Sequence, residues 1–125
     1  MSISVRRMIP ADLEIAATIA LAAFRRPQSH EPVLILRRYL QMQPDGWYLA
    51  FWNGEPVGMG GAIDFGPFAT LGLMSVLPAM QKQGIGQALM EQLLSWLDAR
   101  GCPTVFLNAR SQAVSLYERS GFVTI

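Results

Sequence analysis

Apolar positions change their spacing several times along this chain, and each change marks an expected element. Ile3 and Val5 alternate with polar neighbours, the period of a half-buried strand. From Leu13 onward, apolar residues recur three or four apart: Leu13, Ala16, Ile19, Ala20, Ala23 and Phe24. That is one face of a helix, entered through Pro10-Ala11-Asp12, where a proline suits the first turn, and expected to stop at Pro27. A second helix is expected over residues 32–41, with Val33, Leu36 and Leu40 inward, closed by Pro44-Asp45-Gly46. The run Trp47-Tyr48-Leu49-Ala50-Phe51-Trp52 then reads as a strand meeting Asn53-Gly54, a tight-hairpin signal. The return strand covers residues 57–65, and its Gly58, Gly60 and Gly61 mark a bulge or a close backbone approach. Gly66-Pro67 turns into a third strand over 69–77, which makes the middle of the chain an antiparallel meander. After Pro78, Ile85, Ala88, Leu89, Leu93, Trp96 and Leu97 form a helical stripe capped by Gly101. A short strand at 104–107, a helix over 111–120 stopped by Gly121, and the start of a strand at 122–125 follow. The order β-α-α-β-β-β-α-β-α-(β) predicts one α/β (α+β) domain over residues 1–125, with a mixed, mainly antiparallel central sheet flanked by helices.

Composition narrows the function classes. The chain has 125 residues, 51% hydrophobic and 15% charged, so it can bury a core and is no candidate for disorder. The net charge is +1 and basic residues come singly or in pairs such as Arg25-Arg26, which predicts no nucleic-acid partner. The single cysteine, Cys102, has no partner for a disulfide and is read as buried and inert. With one histidine, His30, no Cys/His metal site of ordinary spacing can be written, so no metal is expected. The N-terminus lacks the order of a signal peptide and no apolar run is long enough to span a bilayer, which gives a cytoplasmic expectation with no membrane partner.

The chemistry concentrates in Val76-Leu77-Pro78-Ala79-Met80-Gln81-Lys82-Gln83-Gly84-Ile85-Gly86-Gln87-Ala88. A strand leads in, two glycines bracket one residue, and a long helix leads out. Such a turn points free backbone N–H groups at one spot and adds the positive end of a helix dipole, an arrangement suited to a pyrophosphate. A P-loop requires Lys and Ser/Thr after its last glycine, whereas Gln87 follows Gly86. A dinucleotide fingerprint requires a third glycine where Leu89 stands, and a parallel unit before it.

With Gln81 three residues before Gly84, this segment resembles the acyl-CoA-binding signature of the GNAT superfamily of N-acyltransferases. The run Leu116-Tyr117-Glu118-Arg119-Ser120-Gly121-Phe122 is similar to that family's second signature, and the resemblance extends over nearly the whole chain. It implies an enzyme, an acetyl-CoA-dependent N-acetyltransferase in which a primary amine attacks the thioester directly through a tetrahedral oxyanion. It further implies that Met74, Ser75 and Val76 hold the pantetheine arm and present one amide to the thioester carbonyl. Gln81, Lys82, Gln83, Gly84, Ile85, Gly86, Gln87 and Ala88 would form the cofactor-binding loop, with amides 82–87 on the pyrophosphate. Tyr117 falls on the family's usual tyrosine and is the candidate general acid for the leaving thiolate, a packing role beneath the cofactor being its alternative. Asp64 and Glu55 are the acids nearest the meander; Asp64, near the end of the return strand over 57–65, is the candidate base, with a solvated loop carboxylate as its alternative. The family often carries an asparagine seven residues before the tyrosine; here Arg110 stands there and Asn108 lies two residues earlier. Trp47, Trp52, Phe65 and Phe68 are candidates for an acceptor pocket or for core. The acceptor, a small molecule or a protein amine, stays open, as does a catalytically idle acyl-CoA-binding module on the same fold. Relatives usually continue with further strands, so a shortened domain is expected, either pairing as a homodimer through the sheet edge near 104–107 or ending in a frayed tail.

Overall fold

Asn53 and Gly54 both adopt left-handed backbone (φ 49° and 86°), the handedness that matches strand twist, and so fold β2 (Trp47–Trp52) back onto β3 (Glu55–Asp64). The computed structural model describes residues 2–107, 114–119 and 121–123. Within it β1 (Ile3–Arg7), β2, β3, β4 (Ala69–Val76) and β5 (Val105–Phe106) form one sheet in that spatial order. The first four are antiparallel neighbours and β5 joins β4 in parallel, giving the mixed, mainly antiparallel sheet that the residue pattern predicts.

Side chains alternate between two cores, one on each face. Trp47, Leu49, Met59 and Ile63 pack against α1 (Leu13–Ala23) and α2 (Glu31–Met42). Tyr48, Ala50, Val57, Ala62, Ala69 and Leu71 pack on the other face against α3 (Ile85–Ala99), whose Ile85, Leu89, Met90, Leu93 and Leu97 are buried, and against Tyr117 of α4 (Val114–Arg119). The period-two pattern of β2 thus separates two layers of helices. A 3-10 turn at Pro10–Asp12 leads into α1, and the Asp12 carboxylate accepts from the Ile9 amide at 2.9 Å and from Arg6 at 2.8 and 3.0 Å. Pro27 is not what stops α1: Arg25 turns left-handed (φ 54°) and the Arg26 amide donates back to the Leu21 carbonyl at 2.9 Å.

The glycines of β3 answer to large neighbours. A Cβ at Gly61 would meet the Trp47 ring, which is buried and stacks on Tyr39 at 5.3 Å with planes 2° apart. A Cβ at Gly60 would meet the Met74 sulfur. Cys102 is half-buried, not fully buried as expected, and its thiol donates to the Thr104 carbonyl at 3.4 Å. At the C-terminal end, Phe122 and Val123 lie outside any strand. Residues 124–125, Asn108, Arg110 and the start of the helix expected from 111 lie outside the described residues.

Candidate functional site

The site is built where β4 loses its neighbour. β5 pairs with β4 only at Ala69 and Thr70, so beyond Thr70 the outer edge of β4 has no strand partner among the described residues. In an extended strand, successive residues direct their main-chain groups to opposite sides. The Ala69 amide points outward, donating to the Thr104 carbonyl at 2.9 Å, and strict alternation would therefore turn every odd residue outward. Yet the Leu77 amide donates inward to the Val57 carbonyl at 2.8 Å. The reversal happens at a bulge: the register steps from Gly61↔Gly72 to Met59↔Ser75, so Leu73 and Met74 together face Gly60. Leu73 is left-handed there, with φ 55°. Counted back from Leu77, alternation assigns Val76 and then Met74 to the open edge and Ser75 to the inner side, where it pairs with Met59. The Val76 carbonyl is met by Gln81 Nε2 at 3.2 Å, which ties the glycine loop to the end of the strand.

The loop itself has the geometry of an anion cradle. Lys82 and Gly84 are both left-handed (φ 64° and 90°), and Gly84 is the N-cap of α3. The first amide to enter the helix ladder is that of Ala88, which donates to the Gly84 carbonyl at 3.0 Å. Those of Lys82, Gln83, Gly84, Ile85, Gly86 and Gln87 donate to no acceptor among the described residues. Six successive free donors at the positive end of a 15-residue helix are what a diphosphate requires, and exposed Lys82 adds a cation. No protein carboxylate competes for these amides among the described residues.

Tyr117 is 8% exposed and belongs to the same core cluster that Met74 and Val76 pack against. Its ring meets Phe122 edge-on at 6.1 Å, and the Phe122 amide donates to its carbonyl at 3.1 Å, so the Gly121 turn (φ 96°) fixes the end of α4. Burial raises the phenol above its ordinary value and keeps it protonated.

Asp64 is not brought to this place. It pairs with Ala69, at the opposite end of β4 from the loop. One carboxylate oxygen accepts from the Gly66 amide at 2.8 Å and the other from Arg100 Nε at 2.9 Å. Those bonds, the Arg100 one foremost, hold its carboxyl below the usual range, which argues against a proton acceptor. Arg100 also lies 3.6 Å from Asp45 and stacks over Trp96 at 4.8 Å, so Asp64 ties the end of β3 to the end of α3. Of the four aromatic candidates, Trp47 is core and Trp52 half-buried. Phe65 and Phe68 are exposed at the β3–β4 turn, where Phe68 also meets Phe106 at 5.8 Å. The glycines of β3 signalled a bulge or a close approach, and the bulge lies at Gly60; what the residue pattern did not give is that the extra residue sits on β4, at a left-handed leucine.

Known proteins resemble this chain in sequence and in fold. The family model for the acetyltransferase (GNAT) family matches residues 13–122. An acetyltransferase of Pectobacterium atrosepticum is 33% identical over 101 residues, covering 77% of this chain and 70% of that protein. The ribosomal protein bS18-alanine N-acetyltransferase of Escherichia coli is 44% identical over 57 residues, 43% of this chain and 38% of the relative. Its crystal counterpart, the ribosomal-protein-S18-alanine N-acetyltransferase from E. coli, superposes with a TM-score of 0.80 at 26% identity, over 99% of this chain and 79% of that one. A Pyrococcus horikoshii structure, provisionally named an acetyltransferase, gives a TM-score of 0.90 at 36% identity, over 97% of this chain and 43% of that one. The stretch matched in sequence is less than half the length of the bS18 relative, and the chain spans less than half of the Pyrococcus protein.

Proposed function

The chain belongs to the GNAT acetyltransferase family, and on that premise we propose that it binds acetyl-CoA along the α3 loop and the β4 edge and transfers the acetyl group to a primary amine. The observation that carries this reading is the continuity of donors: six free amides at 82–87 run into the outward main-chain groups of Val76 and Met74. The amides hold the diphosphate. Val76 and Met74 offer strand-like bonds to the amides of the pantetheine arm, and the Met74 N–H faces the thioester carbonyl. An amide aimed at that oxygen is stronger on the developing oxyanion than on the neutral carbonyl, which favours the transition state. In the transfer, the amine nitrogen bonds to the carbonyl carbon, the C–S bond breaks, and the thiolate takes its proton from the Tyr117 hydroxyl. The acylated nitrogen gives up one proton to solvent water, and the Tyr117 phenolate takes one back from solvent, which closes the cycle. Asp64, with both oxygens engaged, serves structure in this account. That same observation favours a second reading, an acyl-CoA-binding module without turnover, since no other carboxylate was a stronger candidate for the base.

Release of free thiol from acetyl-CoA, across a panel of small amines, amino acids and peptides with free N-termini, tests the two readings. Acceptor-dependent release that is lost in Tyr117→Phe supports the transferase. Tight binding with no release for any amine supports the idle module.

A further inference from the structure

Resting on that reading, we propose that Ser75 is a positioning residue whose hydroxyl locks the β4 bulge and thereby aims the Met74 amide at the acyl carbonyl. Ser75 is 3% exposed and its Oγ donates to the Leu73 carbonyl at 2.7 Å. In an extended strand, residues two apart stand about 6.6 Å from one another, too far for a hydroxyl to reach back to that carbonyl. The bond therefore exists only because the chain kinks between them, and it closes the kink. Leu73 needs such a closure. Its φ of 55° is the left-handed region that a leucine disfavours, and no partner strand holds this stretch from the outer side among the described residues.

The rest of the bulge is shaped to receive the lock. Gly60 stands bare opposite Leu73 and Met74, and the Met74 side chain fills the space its missing Cβ leaves. The kink reverses the direction of every main-chain group downstream. Were Leu73 to relax into regular strand, Met74 and Val76 would turn inward and Ser75 outward, and the donor facing the acyl group would be lost. The hydroxyl therefore acts on the reaction through the backbone and touches no substrate. The diphosphate loop begins after the 3-10 turn at Pro78–Met80 and is joined to this strand through Gln81 Nε2 on the Val76 carbonyl.

Infrared spectroscopy of bound acetyl-CoA, carbon-13 labelled at the thioester carbonyl, reads this directly, since a hydrogen bond to that oxygen lowers its stretching frequency. The unsubstituted chain is expected to bind the ligand by calorimetry and to shift the band down. Ser75→Ala should still bind through the diphosphate loop, with affinity weakened by the lost β4-edge bonds, and should lose most of the downshift when saturated; Ser75→Thr, which keeps the hydroxyl, should recover both. If Ser75→Ala does not fold, Ser75→Cys carries the test: its weak S–H donor should also lose the shift. A full downshift in bound Ser75→Ala, or in folded Ser75→Cys where alanine fails, overturns the positioning role and leaves the functional reading intact. Binding by the unsubstituted chain without a downshift likewise overturns it, through the Met74 amide. Absence of acetyl-CoA binding by the unsubstituted chain defeats the functional reading, and the inference with it.

Discussion

Burial of the Tyr117 ring raises its phenol above the ordinary value of 10.0, and this sets what pH should do. The folded state favours the neutral phenol, so its contribution to stability is present below the unfolded value and is lost as pH rises above it. A general acid of this kind stays loaded at neutral pH, and an alkaline loss of rate due to Tyr117 should begin only above about pH 10. Tyr117→Phe should leave acetyl-CoA affinity unchanged and lower turnover roughly 10²–10⁴-fold under conditions where chemistry limits the rate. Full turnover in that variant would give the residue a packing role instead. Asp64 makes the opposite case. Its carboxyl is held low, chiefly by Arg100, so the stability it adds is present above the unfolded carboxyl value of about 3.9 and is lost as pH falls through that range. Asp64→Asn should flatten the acid side of the stability profile and leave turnover unaltered; a collapse of turnover in a folded variant would restore it as the base. Tyr117 was legible in sequence because a short motif surrounds it. The engagement of Asp64 was not, since its partner lies 36 residues away.

At the scale of elements, hydrophobic period and turn residues foretold most boundaries, and the failures have local causes. The β2–β3 hairpin follows from Asn53-Gly54, and the α3 start from Gly84. The end of α1 came from a left-handed arginine and not from the proline two residues on, because backbone capping acts before the chain reaches Pro27. The run Thr70-Leu71-Gly72-Leu73-Met74-Ser75-Val76 reads as one regular strand, and only the paired register reveals that it reverses halfway. Two substitutions test elements. Gly61→Ala forces a methyl into the buried Trp47 ring and should cost about 1–3 kcal/mol in urea unfolding. A stability within error of the parent would mean that Trp47 does not lie across β3 as described. Gly86→Val sets a branched side chain in the first turn of α3, among the free amides, and should abolish the thermal stabilisation given by coenzyme A while leaving the fold intact. A retained shift would move the ligand elsewhere.

Across the described residues, two helical layers enclose a sheet whose fourth strand is reversed at a bulge and has no strand neighbour on its outer side beyond Thr70. The open edge and the α3 loop are joined by the Gln81–Val76 bond, so one ligand can lie along both. The alternation of strands and helices made this architecture readable, because each layer needs its own apolar stripe. The acceptor was not readable, because the exposed aromatics at Phe65, Phe68 and Phe106 fit no motif. The central claim is that coenzyme A is held by the free amides at 82–87 and by the outer edge of β4. Titration of the nitrogen-15-labelled chain with coenzyme A tests it most directly, residue by residue. Amide shifts should concentrate at residues 82–87, Met74 and Val76, and ligand at a hundredfold over its dissociation constant should add about 2.7 kcal/mol of stability. Shifts clustered elsewhere, or none at millimolar coenzyme A, would contradict the account.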